Sequence, residues 1–319
     1  MKLRKLFFMV ALSAASLFLV NSSANAGALG LLSADGVSVN QLNGSKYQSL
    51  FNFNPDGTIG ANDGTDTILN VGDVLFGYAR TDKVFAPLNS AGVSPSTHTF
   101  TSLMFAEVTS IKDYFGGAYV PGTSNAAKVE FGALSSVKFA NLLGAISTDL
   151  SSLTRNSTNS MVLVFDDSDS PDFIDTNPTN LSEGLLSAMN GEALFEFGIS
   201  SALDSTDLWV ANIFNDALDV TKINPANSAS AALSVTSNST NLTFETITGV
   251  GQPNGSGLYY LPDANVHLFN GTYALNDGDY GTKVLESVYF TVTPEPTSLA
   301  IWGIGALGFG MVRRRKTVA

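Results

Sequence analysis

The sequence predicts a mainly β protein: a β-sandwich or jelly-roll-like body with one or two short helices. Three observations lead there. Short stretches rich in β-branched and aromatic residues recur along the chain, broken by Asn, Asp, Gly and Ser. Only two stretches carry apolar residues at the three- and four-residue spacing of a helix. The chain has no cysteine, so its body must rest on a hydrophobic core rather than on disulfides.

In chain order, the expected strands are Thr67–Ala79, Thr97–Glu107, Lys128–Phe131, Met161–Phe165, Ala193–Ile199, Leu208–Phe214, Ala232–Thr236, Leu242–Ile247 and Val284–Val292. Within the first, Gly72-Asp73 marks a turn between two extended pieces. The last, VLESVYFTV, is the expected final strand of the body. Val137 to Leu153 reads as a helix, with Phe139, Leu142, Leu143, Ile146, Leu150 and Leu153 on one face. Leu181 to Asn190 reads as a second, with Ser182 as N-cap and Gly191 at the C′ position. No repeat of fixed period is visible.

The two ends differ from this body. Residues 1–26 have the form of a secretory signal peptide: Lys2, Arg4 and Lys5, then the apolar run Leu6–Val20, then Ala24-Asn25-Ala26 as an A-x-A cleavage site. Residues 27–292 form the expected β-rich extracytoplasmic body, long enough for a sizeable core in one domain or two. Residues 293–319 fall into three parts: Pro294-Glu295-Pro296, an uncharged run Ser298–Val312, and the basic block Arg313-Arg314-Arg315-Lys316. The prolines donate no backbone hydrogen bond and hold the chain extended, which keeps the triplet open to an enzyme. The apolar run is expected to enter the membrane as a helix, and the four cations to stop translocation. Fifteen residues at 1.5 Å rise reach roughly 22 Å, short of a ~30 Å hydrocarbon core. Such a span suits a segment held briefly and then cut.

This tail resembles the PEP-CTERM sorting signal of exported bacterial proteins, in the order and spacing of its three parts. The resemblance covers about 24 of 319 residues. It implies export through the Sec translocon, a transient hold in the inner membrane and processing by an exosortase, a membrane protease. It also implies a Gram-negative host that makes extracellular polysaccharide or biofilm, and delivery to the cell surface or beyond. It implies nothing about what the body binds.

Charge narrows the partners. Between the two end signals lie nine basic residues against all 28 acidic ones, a net −19 through Glu295. Nucleic acid and anionic membrane surfaces are poor partners for such a body, and divalent cations and neutral polymers are better ones. Negative charge also keeps a secreted protein soluble.

The sharpest local pattern is Asn52 to Asp63, NFNPDGTIGAND. Against a twelve-residue calcium loop, Asn52, Asn54 and Asp56 fall at positions 1, 3 and 5, Gly57 at the bend and Asp63 at position 12. Asn at position 1, Asp at position 12 and Pro55 inside the loop all weaken Ca2+ binding. The alternative is a turn-rich β loop with ordinary Asn-Pro-Asp-Gly chemistry. A second acidic run, Asp166, Asp167, Asp169, Asp172 and Asp175, reads as a solvated loop at a strand end, with a metal site as its alternative. Asn276-Asp277-Gly278-Asp279 reads as a hairpin turn.

Signatures of enzymes are weak. The two histidines, His98 and His267, lack metal-ligand spacing and read as structural or surface residues. There is no GxSxG, no Walker loop and no GxGxxG. No catalytic residue is assigned, although an acidic β body offers carboxylate pairs for glycoside hydrolysis. Aromatic faces for a sugar reduce to Trp209, which also reads as core, and to Tyr259 and Tyr260, which face opposite sides of one strand. The sequons at Asn156, Asn238, Asn241 and Asn270 follow from composition. The sequence therefore leads to an exported, non-enzymatic structural or polysaccharide-associated protein. A secreted carbohydrate-active enzyme and a calcium-stabilised adhesin are its alternatives.

Overall fold

A computed structural model describes residues 32–294, apart from 33, 61–68, 87, 89, 94–99, 121–122, 148–149, 151–152, 167–180, 200–207, 215–217, 219–227, 248–250, 255–256, 261–262, 271–275 and 278–283. Both end signals lie outside this range, except for Pro294. Among the described residues the chain is mainly β, with two short helices. None of these helices is long and apolar enough to cross a membrane.

The order begins with β1 (Asn40–Phe51), β2 (Val74–Phe85), β3 (Phe100–Asp113) and β4 (Ala126–Gly132). Helix α1 (Ser136–Ile146), β5 (Ser160–Asp166), helix α2 (Leu181–Ala188) and β6 (Glu192–Gly198) follow. Then come β7 (Leu208–Phe214), β8 (Ser228–Asn238), β9 (Leu242–Phe244), β10 (Gly251–Asn254), β11 (Gly257–Tyr260) and β12 (Val266–Asn270). The last are β13 (Asn276–Asp277), β14 (Val284–Phe290) and β15 (Val292–Pro294).

Eleven strands share one sheet, and its ladder closes on itself. From β1 the pairing runs to β2, β3, β4, β7, β8, β12 and β14, and β14 returns to β1. Every step in this ring is antiparallel. A second path joins β3 to β8 through β5 and β6. Two long strands make the fork. β3 pairs β5 through Phe100–Met104 and β4 through Glu107–Asp113. β8 pairs β7 through residues 228–232 and β6 through residues 234–238. The only parallel pairing among the described strands is β13 on β1.

Alternation sorts the side chains to two faces. Leu75 on β2, Met104 and Ala106 on β3, Val129 on β4, Trp209 and Ala211 on β7, Leu233 on β8 and Leu268 on β12 meet in one buried cluster inside the ring. Val74, Phe76 and Tyr78 of β2, Leu103 and Phe105 of β3, and Leu163 and Phe165 of β5 point the other way. Helices α1 and α2 cover that outer face with Phe139, Leu142, Leu143, Leu185 and Ala188. Gly184 permits the approach of α2, because a Cβ there would lie 2.1 Å from the Tyr78 hydroxyl.

The mainly β expectation holds, and both helices lie where apolar spacing placed them. Several finer expectations are corrected. The strands run as one continuous closing ladder rather than as two stacked sheets, because alternation fixes which face is buried but not which edges pair. Helix α1 stops at Ile146, not Leu153. Ser147 turns extended (φ −162°, ψ 142°), and Ser and Thr side chains compete for backbone groups at such a point. Leu150 is nevertheless fully buried in the same cluster as Leu142, so the apolar spacing marked burial beyond the helix end. Ser182 lies inside α2 rather than capping it. The expected last strand is two strands, broken at Thr291. Leu242–Ile247 keeps strand geometry only through Phe244. Asn276 and Asp277 pair with Ser49 and Leu50 as β13 instead of turning a hairpin.

Candidate functional site

Three places bear on function: the last strand, the Asn52 hairpin and a buried polar cluster. The last strand leaves the core and ends on the processing motif. Phe290, Thr291 and Val292 are buried, Val292 fully. The next two residues pair outward along β9, with Thr293 opposite Thr243 and Pro294 opposite Leu242. Both sides of this segment are held. The Thr293 hydroxyl donates to Glu245 Oε1 at 2.9 Å, the Glu245 N–H to the Thr291 carbonyl at 2.9 Å, and the Gly36 N–H to the Val292 carbonyl at 3.0 Å. Gly36 has φ +73°, and a Cβ there would lie 2.3 Å from Thr293 Cγ2. Pro294, which has no N–H, stands at the end of the ladder, where no donor is required. Glu295, Pro296 and the basic block Arg313, Arg314, Arg315 and Lys316 lie outside the described residues, as do Ala24 and Ala26.

Asn52, Asn54 and Asp56 come together in one hairpin closed by an antiparallel bridge between Phe53 and Ile59. The Gly57 N–H donates to the Asn54 carbonyl at 2.9 Å, and Gly57 takes the left-handed conformation (φ +83°) that favours glycine. Thr58 occupies the acidic side chain: its N–H and its hydroxyl both donate to Asp56 Oδ1, at 2.9 and 2.6 Å. Those two bonds, the hydroxyl's first, hold the Asp56 carboxyl below its ordinary range. The Asn54 amide donates to Thr58 Oγ1 at 3.0 Å. The hairpin docks on α1, where Asn141 Nδ2 donates to the Gly57 carbonyl at 2.7 Å. Beside it, Lys138 Nζ bonds Glu107 at 2.8 Å and the Gly72 carbonyl at 2.9 Å, 5.3 Å from the Phe53 ring centroid. Asp63, the proposed fourth calcium ligand, lies outside the described residues. Among the described residues no three His, Cys, Asp or Glu side chains converge on one point.

The buried cluster gives no signal in the sequence. Glu196, 6 % exposed on β6, accepts the Asn156 N–H at 2.7 Å, the Ser157 N–H at 3.3 Å and the Ser160 hydroxyl. Ser160 Oγ also lies 2.8 Å from Thr236 Oγ1 on β8. Next to it, Arg155 donates to the carbonyls of Ser160 and Leu134 at 3.1 and 2.5 Å, and lies over the rings of Phe139 and Phe105. Burial pushes the guanidinium down from its ordinary range, and the Glu196 charge opposes that push. Every donor here is matched to an acceptor, so the cluster fastens β5, β6 and β8 to the loop before β5 and presents no reactive group. A buried Glu is legible only once its pairing is known.

The remaining candidates separate cleanly. Trp209 is 1 % exposed, with its ring 6.0 Å from Phe131, and belongs to the core. His267 is likewise buried at 1 %, in the middle of β12. Tyr259 and Tyr260 sit in β11, opposite Gln252 and Gly251 of β10. Asp166 ends β5, whereas Asp167, Asp169, Asp172, Asp175 and His98 lie outside the described residues. Inside the ring a cavity of about 40 Å³ is lined by Leu42, Phe100, Val162, Phe197, Leu268 and Phe290. That is room for a few waters and not for a sugar ring. No family model, curated protein or solved structure matches the chain.

Proposed function

We propose that this chain is an exported, non-enzymatic protein of the cell surface or extracellular matrix, with a structural or polysaccharide-associated body. In this reading it passes the Sec translocon, is held in the inner membrane by Ser298–Val312, and is processed by an exosortase at Pro294-Glu295-Pro296. The observation that carries the reading is the end of β15. The described body stops pairing at Pro294, the first residue of the motif. Only Glu295, Pro296 and Thr297 separate it from the apolar run, at most about 10 Å of extended chain. A body joined so closely would stand against the membrane until the chain is cut.

The non-enzymatic part draws support from the carboxylates. Glu107, Glu130 and Glu196 are each engaged by cations or donors that leave them in structural roles. A direct test uses the secreted protein from its own host, applied to that host's extracellular polysaccharide. Retention without release of reducing ends is expected. Turnover that vanishes on replacing one carboxylate would instead make it a carbohydrate-active enzyme.

A further inference from the structure

The longest hairpin of the ring, β3–β4, carries its tip as a fixed platform. Asp113 organises it: its carboxylate accepts the Phe115 N–H at 2.8 Å and the Ser124 hydroxyl. Its N–H donates to the Gly117 carbonyl and its carbonyl accepts from the Gly116 N–H, at 3.1 and 3.0 Å. The Tyr114 N–H reaches the Ala126 carbonyl at 3.1 Å, and the Val120 N–H reaches Ser124 Oγ at 3.2 Å. Gly116 and Gly117 turn the chain at φ +103° and +100°. What this built loop presents is an aromatic ring in water. Phe115 is 84 % exposed, and the Tyr114 ring braces it edge to face at 5.2 Å. Nothing stands within 4 Å of a Cβ placed on either glycine, so the surface beside the ring is open.

Charge beside the tip departs from that of the body. Lys112 and Lys128 are register partners on β3 and β4 and share a single carboxylate, Glu130, at 3.0 and 3.3 Å. The side chains of both lysines remain well exposed, at 53 % and 37 %. Burial raises the Glu130 carboxyl, but the two ammonium groups outweigh it and hold the carboxyl below its ordinary range. One positive charge is left over on a chain whose body carries −19.

We propose that this tip binds an anionic polysaccharide, one pyranose ring stacking on Phe115 while its carboxylate meets Lys112 and Lys128. The proposal rests on the polysaccharide-associated reading above and names the site and the class of sugar. A single exposed ring beside open backbone matches a sugar ring in size, whereas a specific protein partner covers about 800 Å². An anionic bilayer is repelled by the body, and one aromatic ring anchors little against that field. A sugar carboxylate is the group that two lysines with one counter-charge can still accept.

The test is retention of the secreted full-length protein on immobilised polygalacturonate, with dextran as the neutral control. Wild type is expected to bind polygalacturonate over dextran, and less tightly as salt rises. Phe115→Ala should weaken retention about ten-fold or more, with Phe115→Tyr restoring it. The Lys112→Gln, Lys128→Gln pair should abolish the preference over dextran. Melting temperatures must stay within about 2 °C of wild type, which Phe115, being in water, readily permits. Equal retention of Phe115→Ala overturns the tip as the site and leaves the polysaccharide-associated reading standing. Equal binding to dextran overturns the anionic class. No retention on polygalacturonate, with retention on the host's own polysaccharide, overturns this proposal alone, and no retention on either overturns both.

Discussion

The inside of the ring and its helix-covered outer face solve the same burial problem differently. Inside, ring contacts do the joining: Phe244 touches Phe195, Phe197 and Phe290 with centroids 4.9 to 5.5 Å apart. Outside, the aromatic cluster is pinned by ions. Arg155 lies over Phe139 and Phe105, and Lys138 bridges α1 to Glu107 on β3. The difference follows from the backbone. A closed ladder satisfies its own N–H and C=O groups and needs only apolar filling. A helix laid on a sheet shares no ladder with it, so polar contacts fix where it sits. Packing therefore sets the stability of the ring, and charged pins set the position of its cover.

That contrast can be broken most directly at its centre. Trp209→Ala should cost about 3–5 kcal/mol and melt the whole body in one transition. Phe139→Ala, on the cover, should cost less and leave the far-ultraviolet β signal intact at temperatures where the near-ultraviolet signal has weakened. Equal, fully cooperative losses would mean that the cover and the ring are one unit. Next in size is Glu196→Ala, which strands two N–H groups and a hydroxyl. A loss of about 2–4 kcal/mol in denaturant titration is expected, and a loss under about 0.5 kcal/mol would remove the cluster's fastening role.

Gly184→Ala sharpens the contrast from the helix side. Alanine is the better helix former by about 1 kcal/mol, yet its Cβ would press on Tyr78, which is fully buried. A net destabilisation of about 1–2 kcal/mol is expected, and a rise in melting temperature would show that α2 rests loosely on the sheet. The smallest effect is calcium. The Asn52 hairpin is already closed by its own hydrogen bonds, so millimolar calcium should move the melting temperature by less than about 1 °C. A bound ion at about 100 times its dissociation constant would add roughly 2.7 kcal/mol. A rise of about 5 °C would therefore restore Asn52, Asn54, Asp56 and Asp63 as ligands.

The same physics explains what the sequence disclosed. Leu208–Phe214 was readable to the residue because β7 alternates in the ring with Trp209, Ala211 and Ile213 inward. β1 was not, since NQLNGSKYQSLF carries turn-forming residues where a strand pattern expects apolar ones. It is a strand because β2 and β14 supply ladders on both its edges, and edges leave no mark in composition. The Asn-Pro-Asp-Gly turn was legible as a turn, and its docking on Asn141 was not. Glu196 looked like any surface acid until Ser160 and the loop at Asn156 were placed beside it. The motif residue Pro294 was legible from its triplet alone, but the strand that carries it came only with β9 in place.

The most direct measurement is the intact mass of the protein secreted by its native host. A chain beginning at Gly27 and ending within or just after Pro294-Glu295-Pro296, without the apolar run and the four cations, is the expected result. A secreted chain that still carries Arg313 to Lys316 would contradict processing at the end of β15 and the sorting built on it.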